Sequence, residues 1–139
     1  MSDFLRFMIP GKPMGKQRPR VTHTGHVFTS KETVAYENLV KLCFREEYPD
    51  WTPTESEIVM HIWAYFPIPE SWSKKKKQDA LDGKIHPRKP DWDNIGKIIS
   101  DGLNAVAYAD DAEVYLCTVE KRYSETPGVH VLIEIVETG

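Results

Sequence analysis

The stretch Lys89-Pro90-Asp91-Trp92-Asp93-Asn94 places two carboxylates within three residues of each other. Proline biases the residue before it toward extended backbone. In an extended chain residues i and i+2 point the same way, so Asp91 and Asp93 are expected to face one cation. Close carboxylates repel unless something positive lies between them, and oxygen-only donors suit hard ions such as Mg²⁺, with Mn²⁺ as a substitute. No His or Cys cluster offers a zinc alternative. The bland reading of Asp-x-Asp is a solvated helix cap. Asp101 lies roughly 12 Å along a helix from Asp93, at about 1.5 Å per residue, too far for a shared ion. Asp110 and Asp111 follow the end of that helix, where a chain that has turned back can bring a third ligand. Adjacent residues of an extended chain face opposite ways, so only one of this pair is expected to point at the metal. Lys97 stands one helical turn after Asp93. It is either half of a helix ion pair or a cation for the charge that develops on a scissile phosphate, and spacing alone does not separate the two.

Two basic segments precede these acids. Gly11 to Arg20 holds Lys12, Lys16, Arg18 and Arg20 with no acid, and its Pro and Gly residues keep it out of regular structure. A patch without internal charge partners reads as a phosphate-gripping loop. Lys74, Lys75, Lys76 and Lys77, followed by Lys84, Arg88 and Lys89, form a second run, which is either a solvated helix face or a further DNA contact beside Asp91. Trp72 and Tyr108 are candidates to stack on unpaired bases, although large aromatics more often belong to a core. The net charge of -3 conceals a division: residues 1–90 carry 15 Lys and Arg against 11 Asp and Glu, and residues 91–139 carry 3 against 10. An enzyme that cuts DNA needs such a separation, cations for phosphates and carboxylates for metal.

The elements that must position these groups can be read from periodicity. A chain of 139 residues suits one domain, residues 1–139, around one core. Phe4 to Ile9 reads as a strand stopped by Pro10-Gly11. Thr29 with Glu32 resembles a capping box, opening a helix whose Ala35, Leu39, Leu42 and Cys43 share a stripe and which ends before Pro49. Glu57 to Phe66 alternates, with apolar or aromatic residues on both sides, and is expected to be a strand covered on both faces. Ser73 caps a short helix from Lys74 to about Leu81, closed by Gly83. Asp93 is expected to cap a helix to about Asn104 that buries Ile95, Ile98, Ile99 and Leu103. Glu113–Tyr123 and Val129–Val136 are expected to pair as a hairpin across Glu125-Thr126-Pro127-Gly128. The sum is an α+β domain, a mixed but mostly antiparallel sheet with helices packed against it. No apolar run approaches the roughly 20 residues that span a bilayer, and the N-terminus lacks a stretch of signal-peptide character. Cys43 and Cys117 are read as buried thiols of a reducing compartment, and the expected location is the cytoplasm.

The motifs together resemble the RusA-type Holliday-junction resolvases, phage- and prophage-associated endonucleases, over almost the full length. The resemblance rests on Ile9-Pro10-Gly11-Lys12-Pro13 with Lys16-Gln17-Arg18-Pro19-Arg20, Phe66-Pro67, Lys89-Pro90-Asp91-Trp92-Asp93-Asn94 with Lys97, and Asp110-Asp111. It implies a homodimeric α+β enzyme that introduces paired nicks across four-way DNA junctions with Mg²⁺, in recombination and repair. It also implies that Asp91, Asp93 and Asp111 are the catalytic, metal-holding aspartates, Lys97 the catalytic lysine and Asp110 an accompanying acid. Gly96 departs from the family, which usually places a larger residue before the lysine, and glycine costs a helix about 1 kcal/mol. Two other classes compete: a metal-dependent phosphohydrolase acting on a small phosphate ester, and a non-enzymatic branched-DNA-binding protein. The first leaves both basic segments without a role. The second predicts that the three aspartates are dispensable.

Overall fold

The computed structural model describes residues 2–137, so Met1 and the last two residues of the expected 1–139 domain lie outside the described ones. The chain runs β1 (Ser2–Pro10), β2 (Arg20–Val21), β3 (Val27–Phe28), α1 (Lys31–Glu47), β4 (Glu57–Pro67), α2 (Lys74–Leu81), α3 (Trp92–Leu103), a 3₁₀ turn (Asp111–Glu113), β5 (Val114–Ser124) and β6 (Gly128–Val136). Four strands form one sheet in the order β1-β6-β4-β5, and β2 pairs with β3 as a separate ribbon. The α+β class and the mostly antiparallel sheet agree with the sequence, since β6 is antiparallel to both β1 and β4.

The expected hairpin does not form. β5 pairs in parallel with β4, and β4 separates it from β6. Two helices join β4 to β5, the length of connection a parallel pair requires. Ser124 lies opposite Pro67 and Gly128 opposite Tyr65, so residues 125–127 cross the end of β4. That step is about 10 Å, two strand spacings, within the reach of three extended residues.

The helices cover one face of the sheet. Leu5, Phe7 and Ile9 of β1, Ile58, Met60, Ile62, Ala64 and Phe66 of β4, and Val129, Val131, Ile133 and Ile135 of β6 meet α1 and α3 there. The opposite face of β4 is not fully covered as expected: His61, Trp63 and Tyr65 are half-buried, and Phe4, Met8 and Leu116 are exposed around them. Among the described residues the helices pack on the other side. α3 buries Ile95, Ile98, Ile99 and Leu103 completely, each contributing about 1.5–3 kcal/mol by burial.

α1 differs from expectation in its phase. Ser30, not Thr29, is the N-cap, with its hydroxyl accepting from the Thr33 backbone N–H. The buried stripe is Thr33, Tyr36, Val40 and Phe44, whereas Leu42 is exposed and Ala35 faces solvent. Apolar residues occur on several sides of this helix. Tyr36 and Phe44 bury more area than Ala35 and Leu42, and their burial decides the rotation. α1 and α3 approach closely at Gly102, where a Cβ would lie 2.9 Å from the Val40 side chain. Gly102→Ala is therefore expected to cost about 1–3 kcal/mol despite alanine's better helix propensity. The loss reads out as a lower urea midpoint at unchanged slope, and adding Val40→Ala should cost less than the sum of the two single changes.

Candidate active site

α3 lies against β5 and leaves a groove of about 300 Å³ between them, lined by Asp93, Gly96, Lys97 and Ser100 of α3, Asp111 of the 3₁₀ turn, and Cys117 and Val119 of β5. Positions 93, 96, 97 and 100 recur at helical spacing, so one face of α3 supplies them while the next face holds the isoleucines. Gly96 permits the close approach, because a Cβ there would sit 3.3 Å from the Val119 side chain and 3.8 Å from Cys117 Sγ. Gly96 thus makes room for β5 side chains.

The extended-chain argument for Asp91 and Asp93 fails. α3 begins earlier than expected: Asp91 is its N-cap, without a side-chain capping bond, and Asp93 is in the first turn. A carboxylate there gains from the helix dipole. Asp93 faces the groove, while Asp91 is ion-paired with Lys89 at 3.2 Å on the exposed rim. Asp111 returns to the groove because the chain after α3 is pinned. Ala105 takes a left-handed φ of 64°, at a cost of about 1–2 kcal/mol. Tyr108 is fully buried and donates its hydroxyl proton to the Ser100 carbonyl at 2.7 Å, which removes it from the stacking candidates. The Asp111 N–H donates to Asn104 Oδ1 at 2.8 Å. Of the acidic pair, Asp111 lines the groove and Asp110 does not.

Asp111 is electrostatically strained. Although Asp111 is largely exposed, what desolvation it has, together with the neighbouring Asp110 carboxylate and the charge of Asp101, raises its pKa above the ordinary aspartate value. A cation would relieve this repulsion. The all-oxygen donor set of Asp91, Asp93 and Asp111 fits a hard divalent ion such as Mg²⁺. Among the described residues no three His, Cys, Asp or Glu side chains already converge into a ligand shell. Lys97 forms no ion pair among the described residues, the helix pair with Asp93 included. Its ammonium is left to whatever enters the groove.

Two anchors that sequence reasoning missed hold the Arg88–Asn94 segment. Lys121 of β5 donates to the Arg88 and Pro90 carbonyls at 3.0 and 3.1 Å. On the other side the Lys16 N–H donates to the Asn94 carbonyl at 2.8 Å, and a Cβ on Gly15 would come within 2.6 Å of Pro90. The Lys16 ammonium bridges Glu37 of α1 and Asp101 of α3, at 2.8 and 3.0 Å. Burial alone would lower its pKa, but these two partners outweigh that and raise it. The loop therefore does have charge partners, supplied by distant helices, and Lys16 is committed to them. Lys12, Arg18 and Arg20 are exposed, as are Lys74, Lys75, Lys76, Arg88 and Lys89, with Lys77 half-buried. Trp72 packs edge-on against Tyr123 at 5.2 Å, with Lys76 over its ring. Cys43 and Cys117 are free thiols and only partly buried, less enclosed than expected. Burial raises the pKa of both. A signal for Lys121 was present, since it is one of only three cations after residue 90. Asn104 and Ser100 gave no such sign.

Two carboxylates, Asp93 and Asp111, and a lysine without an ion pair among the described residues thus share one groove of an α+β domain. The profile of the family described as Endodeoxyribonuclease RusA matches residues 10–134. The uncharacterized protein YqaN of Bacillus subtilis (strain 168) is 34% identical over 140 residues, spanning 96% of this chain and 98% of that protein. The chain belongs to the RusA endodeoxyribonuclease family. No helix among the described residues is long and apolar enough to cross a membrane.

The strain at Asp111 has a measurable sign. Because folding raises this carboxyl's pKa, its ionisation costs the folded state stability as pH rises through that pKa. Asp111→Asn should therefore raise the melting temperature of the metal-free protein near neutral pH by about a degree. The advantage should vanish below the carboxylate range, where both side chains are neutral. A lower melting temperature for the variant at neutral pH would contradict the repulsion.

Proposed function

We propose that this protein resolves four-way DNA junctions by paired symmetric nicks, in DNA recombination and repair, using Mg²⁺ held by Asp91, Asp93 and Asp111, with Asp110 as an accompanying acid. The observation that carries the reading is the shared groove of Asp93, Lys97 and Asp111 in a chain of an endodeoxyribonuclease family. Mg²⁺, when bound, supplies orientation of a water, polarisation of the phosphate and stabilisation of the leaving oxygen. Mn²⁺ is the expected substitute. The Lys97 ammonium stabilises the negative charge that develops on the scissile phosphate. Asn104 holds the Asp111 backbone, and Lys121 holds the two carbonyls on either side of Lys89, so that the aspartates meet the phosphate from fixed positions.

The exposed cations Lys12, Arg18 and Arg20, with Lys74, Lys75, Lys76, Lys77, Arg88 and Lys89, grip the phosphates of the junction arms. Lys16 contributes indirectly, by holding the loop against α1 and α3. Two cuts call for two sites, hence a homodimer. Phe4, Met8 and Leu116 on the open sheet face are exposed apolar surface of the kind self-association covers. The working location is the cytoplasm, where the DNA is.

The test is cleavage of a synthetic four-way junction beside a matched linear duplex, with and without Mg²⁺. Paired nicks confined to the junction are expected with Mg²⁺. Asp91→Asn, Asp93→Asn or Asp111→Asn should each slow nicking about a thousandfold, the loss of roughly 4 kcal/mol from the transition state, while junction binding persists or tightens. Tight binding without nicking under any divalent metal would instead support a non-enzymatic junction binder. Cleavage of simple phosphate esters alone would support a small-molecule phosphohydrolase. Lys121→Met should lower kcat about tenfold with little change in junction affinity, and Lys121→Arg should recover part of the loss. A loss confined to affinity would contradict its positioning role.

A further inference from the structure

A second hollow, of about 550 Å³, has walls that include Lys12, Pro67, Pro87, Arg88, Lys89 and Tyr123. Its chemistry differs from that of the groove. Three cations and no acid line it, and the remainder of the lining is prolines, Phe66, Ile68 and the Tyr123 ring. Lys12 and Arg88 have no carboxylate partner among the described residues, and Lys89 reaches only the rim carboxylate of Asp91. Tyr123 is held in place: Trp72 packs on it edge-on, and Lys76 covers the Trp72 ring in turn. An aromatic ring with proline surfaces and three cations, two of them without a carboxylate partner among the described residues, suits a planar ring that carries a phosphate.

We propose that this hollow is a nucleotide subsite, which takes an unpaired base flanking the scissile phosphate on Tyr123 while Lys12 and Arg88 hold that nucleotide's phosphate. The proposal rests on the nuclease reading and adds to it a position for the base. Lys89 joins the two sites, its ammonium 3.2 Å from Asp91 while its chain lines the hollow. A nucleotide captured here therefore sets the register of the neighbouring phosphate against the aspartates. The arrangement selects branched over linear DNA, because a base already unpaired at a branch enters without the cost of opening a duplex. The competing platform is Trp92, 61% exposed, but in the groove that it lines Lys97 is the one cation, against three in the hollow.

The experiment uses a four-way junction carrying 5-iododeoxyuridine at each nucleotide flanking the nick in turn, irradiated with the full-length protein in EDTA so that nothing is cut. A photocrosslink to the peptide containing Tyr123 is expected at one of these positions. A crosslink to Trp92, or none to Tyr123 from any position, overturns the proposal, and this readout holds even if the wild-type protein proves unable to nick. With Mg²⁺, under single-turnover conditions at saturating protein, Tyr123→Leu should slow nicking about tenfold to a hundredfold, the range of one lost base stack. Tyr123→Phe keeps a ring and should restore most of the rate. An abasic nucleotide at the crosslinking position should slow the wild type by a similar factor and Tyr123→Leu by little more. Independent, multiplicative losses from the two changes would mean that the base and the tyrosine do not meet. If the wild type nicks no junction while the Tyr123 crosslink forms, the nuclease reading fails and the nucleotide subsite stands.

Discussion

The packing of α3 against the sheet is the constraint on which the site depends. One side of this helix is committed to the core through four fully buried aliphatic side chains, so its rotation about its own axis is not adjustable. With that rotation set, Asp93, Gly96, Lys97 and Ser100 must face β5, and the missing side chain at Gly96 lets β5 come close. The groove is therefore narrow. The return of Asp111 completes it from the opposite wall, through a chain reversal that a buried tyrosine and a side-chain amide hold in place. Interiors are close-packed and respond to small volume changes, so a shift of α3 would move a carboxylate and a lysine together.

The segment that carries Asp91 has no such core beneath it, and it is secured by polar contacts instead. Lys121 grips two carbonyls from the sheet side, and the Gly15-Lys16 stretch clasps the other side. Through Glu37 and Asp101 the same lysine links the basic loop to both large helices. The basic loop and the helix that carries Asp93 are thus tied together. A cation that sequence alone would assign to DNA is in fact part of the frame.

Much of this was readable from residue order. The α3 stripe, the Ser73 cap, the positive φ at Gly83 and the extent of β4 follow from strong local signals: periodicity, a capping hydroxyl and a glycine past a helix end. What failed was decided by distant partners. β5 and β6 carry a good turn between them, yet β4 intervenes, because strand order depends on which edges the helices leave open. α1 has apolar residues on several sides, and only the sheet it meets selects Tyr36 and Phe44 over Ala35 and Leu42. Pro90 favours extended geometry ahead of the Asp91 and Asp93 pair, but the helix starts at Trp92 and changes how the two acids are presented. Contacts such as Lys121 with the Arg88 and Pro90 carbonyls join residues far apart in sequence and leave no local trace.

Repulsion on Asp111, which a cation would relieve, is what links this geometry to the proposed metal chemistry. Slight desolvation together with like charge from Asp110 and Asp101 raises the Asp111 pKa, and among the described residues no three acids form a ligand shell, so on the proposed function the ion itself would draw Asp91, Asp93 and Asp111 together. The most direct measurement is anomalous diffraction from crystals of the protein grown with Mn²⁺. The account predicts a peak in the groove between α3 and β5, within ligating distance of Asp91, Asp93 and Asp111, that is lost in Asp111→Asn. A Mn²⁺ peak elsewhere, or a groove that stays empty at saturating metal while other sites fill, would contradict it.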